Sequence, residues 1–156
     1  MLFLAGCGLD LLGPVLVLTG RLDPVGGVDI MPMHAAGLVV FALALPVTII
    51  AQRDLGGAWR TGIDPTTAAP LVTTGVFTVV RNPIYTIMVA TSLGVALLVP
   101  TIVSPLALAG CLIAIEVQTR RVEEPFLEQR HGGSYRSYAS RVGRFVPVLG
   151  RLQTPW

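Results

Sequence analysis

Two stretches of this chain, residues 33–51 and 83–99, run without one charged side chain. About 20 mostly apolar residues suffice for a helix to cross the hydrocarbon core of a bilayer, where the backbone must satisfy its own N–H and C=O groups. Residues 2–19 and 104–117 are nearly as apolar, each with one carboxylate, Asp10 and Glu116. Composition agrees, since 53% of the residues are hydrophobic and 13% charged, against about 25% charged in soluble domains. The mean hydropathy is +0.72. The sequence therefore predicts an all-α fold: a polytopic membrane helix bundle of about four transmembrane helices, capped by residues 118–156. Its 156 residues are read as one integral membrane domain.

The polar residues within and between these spans set local expectations. Gly13-Pro14 predicts a kink in the first span, whose one ionisable group is Asp10. A carboxylate inside a span is a functional position by default, but structural pairing or a cavity-facing role is the simpler reading for Asp10. Leu4-Ala5-Gly6-Cys7 has the look of a lipoprotein cleavage box, yet only six residues precede Cys7. A signal peptide needs a basic region and an apolar stretch of about 7–15 residues first, so this segment is read as part of the first span. Residues 20–32, with Asp23-Pro24 and Gly26-Gly27, form a turn-rich loop, and Pro46 should bend the second span. No His or acidic residue stands at metal-ligand spacing from His34, so no metal is expected. Cys7 and Cys111 lie in apolar runs without a C-x-x-C pattern and are read as buried thiols.

All eleven basic residues are arginine and the formal net charge is +2. They adjoin the spans instead of forming an extended basic face, which excludes nucleic acid as the expected partner. With four spans both termini share a side, and that side holds Arg53, Arg60, Arg81 and every arginine from Arg120 onward. Arg21 alone is opposite. The positive-inside rule then places both termini in the cytoplasm, as a multi-pass inner-membrane protein.

Polar chemistry concentrates at that face. In Gln52–Thr74, Arg53, Trp59 and Arg60 fit an interfacial anchor. Asn82 can cap a helix that starts with Pro83, a residue whose missing N–H is harmless in a first turn. Glu116, Arg120 and Glu123 are four and three residues apart, and Arg120 and Glu124 form a further i, i+4 pair, so a charged ladder is expected to leave the fourth span. Pro125 should break that helix. Phe126–His131 is then a short helix ended by Gly132-Gly133, and Ser134 can cap another that runs to about Arg141. Tyr135 and Tyr138 share one side of it, as interfacial anchors or as a ligand wall.

Gly75–Tyr85, GVFTVVRNPIY, resembles the Gly-x-aromatic-x-x-x-Arg-His-Pro-x-Tyr signature of the isoprenylcysteine carboxyl methyltransferase and phospholipid methyltransferase group, integral membrane enzymes that use S-adenosylmethionine. Asp54-Leu55-Gly56-Gly57-Ala58-Trp59 is similar to a segment that precedes that signature. V-E-E-P-F-L-E-Q-R-H-G-G-S-Y-R-S-Y-A-S-R-V-G-R-F-V-P resembles the group's Glu-Glu-x-x-Leu…Gly-x-x-Tyr-x-x-Tyr…Arg-aromatic-x-Pro ending. Two departures stand out. Asn82 replaces the usual His, keeping hydrogen-bonding capacity without a titrating imidazole, and Ile87 stands where a small residue is common.

The resemblance implies a methyltransferase whose cofactor site gathers Asn82, Pro83, Tyr85, Arg120, Glu123, Glu124, Tyr135 and Tyr138, with Arg81, Asn82 and Arg144 at the reacting groups. S-adenosylmethionine presents an ammonium, a carboxylate and an adenine, which call for carboxylates, cations and an aromatic or apolar slot. The acceptor is expected to be a lipophilic small molecule with a carboxylate, amine or hydroxyl, entering from the bilayer among membrane lipid, with S-adenosylhomocysteine as product. An amine would have to lose a proton, for which Glu116 is the remaining candidate base. Two alternatives share some of these features: an NADPH-dependent membrane reductase of the steroid reductase-like type, and a non-enzymatic membrane scaffold.

Overall fold

Each of the four apolar stretches contains a helix. In the computed structural model, which describes residues 8–27, 30–56 and 70–152, these are α1 (Leu12–Leu18), α2 (Met31–Leu55), α3 (Pro83–Leu98) and α4 (Ser104–Gln118). Chain chemistry explains the boundaries. α3 opens on Pro83, while α4 opens on Ser104-Pro105, where the Ser104 hydroxyl donates to the Val99 carbonyl (2.9 Å) and accepts from the Thr101 N–H (3.0 Å). Pro46 lies inside α2 without ending it. Cys7, Gly57, Ala58, Trp59 and Arg60 lie outside the described residues.

Of the described residues 72% are helical and none forms a strand, which makes the fold all-α. Among them α2 is the one helix both long and apolar enough to cross a bilayer, at 25 residues. α3 has 16 residues, about 24 Å at the α-helical rise and short of a hydrocarbon core about 30 Å thick. On α2, Leu38 and Leu43 are 60% and 62% exposed, an arrangement that suits lipid as the surrounding medium.

The chain divides into two compact units, Met1–Pro46 with Ile87–Gln118, and Val47–Thr86 with Thr119–Trp156. The first packs through small residues. A Cβ on Gly37 would lie 2.8 Å from the Gly94 carbonyl oxygen and 2.9 Å from the Leu98 nitrogen, so α2 and α3 touch backbone to backbone there. Asp10 accepts a hydrogen bond of 2.6 Å from the buried Ser92 hydroxyl at a cavity lined also by Gly13, Val95, Ala96 and Ala107. Asp10 is thus paired and cavity-facing, as its sequence context suggests.

The second unit contains the end of α2, a 3₁₀ turn at Gly75–Thr78, the start of α3, a π-turn at Thr119–Glu123 and α5 (Glu124–Arg141). One expectation is corrected here: Pro125 does not end the helical run, because it sits in the first turn of α5, where its missing N–H is tolerated, and the helix passes into α5 through the π-turn that holds Arg120 and Glu123. The expected division of the cap holds. Gly132, at φ 49° and ψ −122°, kinks α5 between its two halves.

The Gly37 contact yields a stability prediction. Gly37→Ala forces a methyl group against two backbone atoms and should cost about 1–3 kcal/mol. Gly94→Ala, whose Cβ would meet the Gly37 carbonyl oxygen at 3.2 Å, should cost less. Thermal unfolding of the detergent-solubilised variants measures the order, and equal or negligible effects would show that this contact is loose.

Candidate functional site

The site begins at the end of α2. Asp54 accepts a hydrogen bond of 2.8 Å from the Val76 N–H in the turn that opens the Gly75–Tyr85 stretch. Gly75 is required there twice over: its φ is +58°, and a Cβ would collide with the Asp54 carboxylate. The sequence holds one clue to this role. A carboxylate in the last turn of a helix opposes the macrodipole, so Asp54 needs a tertiary partner to offset its position.

From this turn the backbone of residues 80–82 runs beside that of residues 143–144. Val80 and Gly143 form a parallel bridge, the Arg81 N–H donates to the Gly143 carbonyl (2.8 Å), and the Asn82 N–H donates to the Arg144 carbonyl (3.0 Å). Gly143 has no room for a side chain, because a Cβ would collide with the Val146 carbonyl. In the first turn of α3, the Thr86 hydroxyl donates to the Phe145 carbonyl (2.8 Å). The Tyr138 hydroxyl donates to the Phe77 carbonyl (2.6 Å), pinning α5 to the same strip. Around these bonds Tyr135, Tyr138 and Ala139 are buried against Leu71, Leu127, Val142 and Leu152.

At the centre is a buried charge cluster. Arg144 grips Glu124 with two hydrogen bonds, Nε to Oε1 and Nη2 to Oε2, each 2.8 Å. Arg81 reaches the same carboxylate at 3.1 Å, and also donates to the Gly150 carbonyl (2.7 Å) and the Tyr135 hydroxyl (3.2 Å). The side chains of Arg81, Arg144 and Glu124 are 2%, 9% and 13% exposed, so the pairs are held largely out of water, where charge-assisted bidentate contacts are strongest. Two guanidiniums against one carboxylate leave the cluster with a surplus positive charge. The Nε of Arg81 is buried and finds no hydrogen-bond partner among the described residues. The neighbouring Glu123 accepts a hydrogen bond from the Tyr85 hydroxyl.

Burial pushes the hydroxyl of Tyr135 up to about 12, and Glu124 adds to the effect while Arg81 and Arg144 oppose it. Burial likewise raises Tyr138 to about 12 against the pull of Arg81. Both phenols are therefore hydrogen-bonding groups and not bases at neutral pH.

The structure accordingly brings together Arg81, Asn82, Glu124, Tyr135, Tyr138 and Arg144, and separately Tyr85 with Glu123. Pro83 is buried at the start of α3, and Arg120 is exposed on the π-turn. Of the two adjacent glutamates, Glu124 pairs with Arg81 and Arg144, and Glu123 receives the Tyr85 hydroxyl. Asp54 and the carbonyls of Gly143, Phe145 and Gly150 join the network. Backbone acceptors of this kind leave no trace in side-chain patterns.

A family model described as phospholipid methyltransferase matches residues 32–134, more than half of the chain. The matched span includes Asp54, Arg81, Glu123 and Glu124 and stops before Tyr135, Tyr138 and Arg144. No curated protein matches the chain.

Two measurements test the network. Glu124→Gln leaves two buried guanidiniums without their counter-ion and should destabilise the protein by about 3 kcal/mol or more. Glu128→Gln, which removes the exposed pair with Arg136, should cost under about 1 kcal/mol. Equal costs in chemical denaturation would count against a buried cluster. The tyrosines set an alkaline limit: native phenols that stay neutral to about 12 ionise near 10 when unfolded. Their contribution to stability is complete below pH 10 and is lost as pH rises towards 12. Replacing both by Phe should flatten this alkaline decline, and a decline of unchanged slope would assign it to other groups.

Proposed function

The chain belongs to the phospholipid methyltransferase family, and on that premise we propose that it transfers a methyl group from S-adenosylmethionine to a lipophilic acceptor at the cytoplasmic face of a membrane. The observation that carries this reading is the gathering of the signature arginine, Arg81, with Glu124 and Arg144 in one buried cluster of surplus positive charge. The residues present fit the cofactor. A cationic cluster with an unpartnered Nε donor suits a carboxylate, and the Glu123 carboxylate, oriented by Tyr85, suits an ammonium.

In this reading Arg81 and Arg144 hold and orient anionic groups, Asn82 and Pro83 set the entrance of α3, and Tyr85, Tyr135 and Tyr138 form the wall. Arg120 supplies a further cation on the exposed side. The cofactor, when bound, supplies an electrophilic methyl group. What the protein adds is alignment of the acceptor's lone pair with that methyl group and exclusion of water, for which effective molarities of about 10⁵ M or more are attainable. Asn82 anchors to the Arg144 carbonyl through its N–H, with its side-chain amide 3.4 Å from the same oxygen. It cannot accept a proton at neutral pH. A carboxylate acceptor needs no base, whereas an amine would require one.

We further propose the four apolar stretches, residues 2–19, 33–51, 83–99 and 104–117, as four spans, with both termini and the arginine-rich second unit on the cytoplasmic side. The acceptor, among membrane lipid, would then enter from the bilayer. The family match supports neither the reductase nor the scaffold reading.

Thermal stability in detergent tests the cofactor directly. S-adenosylhomocysteine at a hundredfold excess over its Kd should stabilise by about 2.7 kcal/mol, or about 5–10 °C in Tm, while NADPH should not. A shift with NADPH alone would replace the proposal with the reductase, and no shift with either would remove the enzymatic reading. Methyl label should then be recovered in the organic extract of membranes, and its recovery on a water-soluble product would refute the lipophilic acceptor.

A further inference from the structure

Beyond Arg144 the chain makes a tight excursion whose composition and conformation are unusual for a protein surface. Val146, Val148 and Leu149 are 50%, 61% and 65% exposed, with Pro147 exposed between them. These four consecutive apolar residues form the tip of a closed loop. The Leu149 N–H donates to the Val146 carbonyl (3.2 Å) and the Arg144 N–H donates to the Leu149 carbonyl (2.8 Å). Val148 takes a φ of 72°, a left-handed conformation that a β-branched residue adopts only under constraint. The apolar side chains are therefore held outward by the backbone.

Charge identifies what meets them. From residue 130 to the end the sequence has five arginines and no acidic residue. Arg136 is paired with Glu128 and Arg144 with Glu124, and Arg130 lies over the Phe126 ring. Exposed Arg141 and Arg151 stand at the roots of the two arms of the loop, which close on each other where the Leu152 N–H donates to the Ala139 carbonyl (2.9 Å). An apolar tip with cations at its base matches a surface that is negative at its head groups and apolar beneath them.

We propose that the Val146–Leu149 tip is an interfacial anchor that inserts into an anionic lipid leaflet, with Arg141 and Arg151 at the head-group level. The next residue in the chain, Gly150, gives its carbonyl to Arg81 (2.7 Å), so insertion of the tip also fixes one wall of the charge cluster. The anchor needs the protein to lie at a membrane, as the family reading has it, but it does not depend on the cofactor. Its failure is therefore distinguishable from an absent response to S-adenosylhomocysteine.

The test uses the full chain in nanodiscs, with Trp59 and Trp156 replaced by Phe and a single tryptophan introduced as Val146→Trp or Leu149→Trp. These two positions avoid the left-handed residue, and either variant alone suffices if the other misfolds. In bilayers containing phosphatidylserine the emission should be blue-shifted and lose most of its intensity to lipids brominated high on the acyl chain, while aqueous iodide has little effect. Quenching by brominated lipid should fall in phosphatidylcholine alone, and Arg141→Gln with Arg151→Gln should abolish that difference. Emission that is blue-shifted but insensitive to brominated lipid would mean that protein, such as a second copy of the chain, covers the tip, and would overturn the proposal. Emission at the aqueous wavelength with full iodide quenching would overturn it as well, and indifference to lipid charge would refute the anionic partner.

Discussion

The carboxylate of Glu124, held between Arg81 and Arg144, is the interaction on which the second unit depends. Each of its three participants comes from a different part of the chain: the stretch before α3, the first turn of α5 and the arm that follows α5. Charged groups removed from water carry a desolvation cost of several kcal/mol each, which is offset only when geometry and additional hydrogen bonds are good. Here the bidentate grip of Arg144, the Gly150 carbonyl on Arg81 and the Tyr135 hydroxyl supply those bonds. A cluster of this kind is a poor source of net stability. It is a strong source of specificity, because alternative packings of these segments leave a charge buried alone.

The two units obey different physics. In the first, contact is made by removing side chains: Gly37 against Gly94, and Gly13 against Thr101. Apolar side chains gain little from one another when the surroundings are also apolar, so close backbone approach and dispersion take over from the hydrophobic effect. In the second, the contacts are hydrogen bonds to backbone carbonyls and ion pairs, and the aromatic residues Tyr135 and Tyr138 combine burial with a polar tip. The π-turn at Thr119–Glu123 lies at the change from one regime to the other along the sequence. It is one of the few devices by which a helix can alter which face it presents without ending.

Much of the helical content was legible because charge-free runs and prolines act locally. Pro83 and Pro105 mark helix starts by their own chemistry, and Gly132-Gly133 divides the cap for the same reason. The pairing of residues in the site was legible only as membership. Arg81, Glu124 and Arg144 stand out as charged residues in recurring patterns, yet nothing in residue spacing says that Glu124 and not Glu123 receives both arginines. That choice goes with the π-turn at Thr119–Glu123, whose departure from α-helical register residue spacing does not reveal. The contributions of Gly143, Phe145 and Gly150 were hidden for a simpler reason, since every residue carries the same carbonyl.

The hydrogen bond from the Val76 N–H to Asp54 also acts as a clasp across the base of the connection between α2 and the Gly75 turn. The clasp thereby sets where the Gly75–Tyr85 stretch begins relative to the end of α2. Loss of the Asp54 carboxylate would be felt five residues beyond Val76, at the arginine that reaches Glu124, although Asp54 touches neither member of that pair.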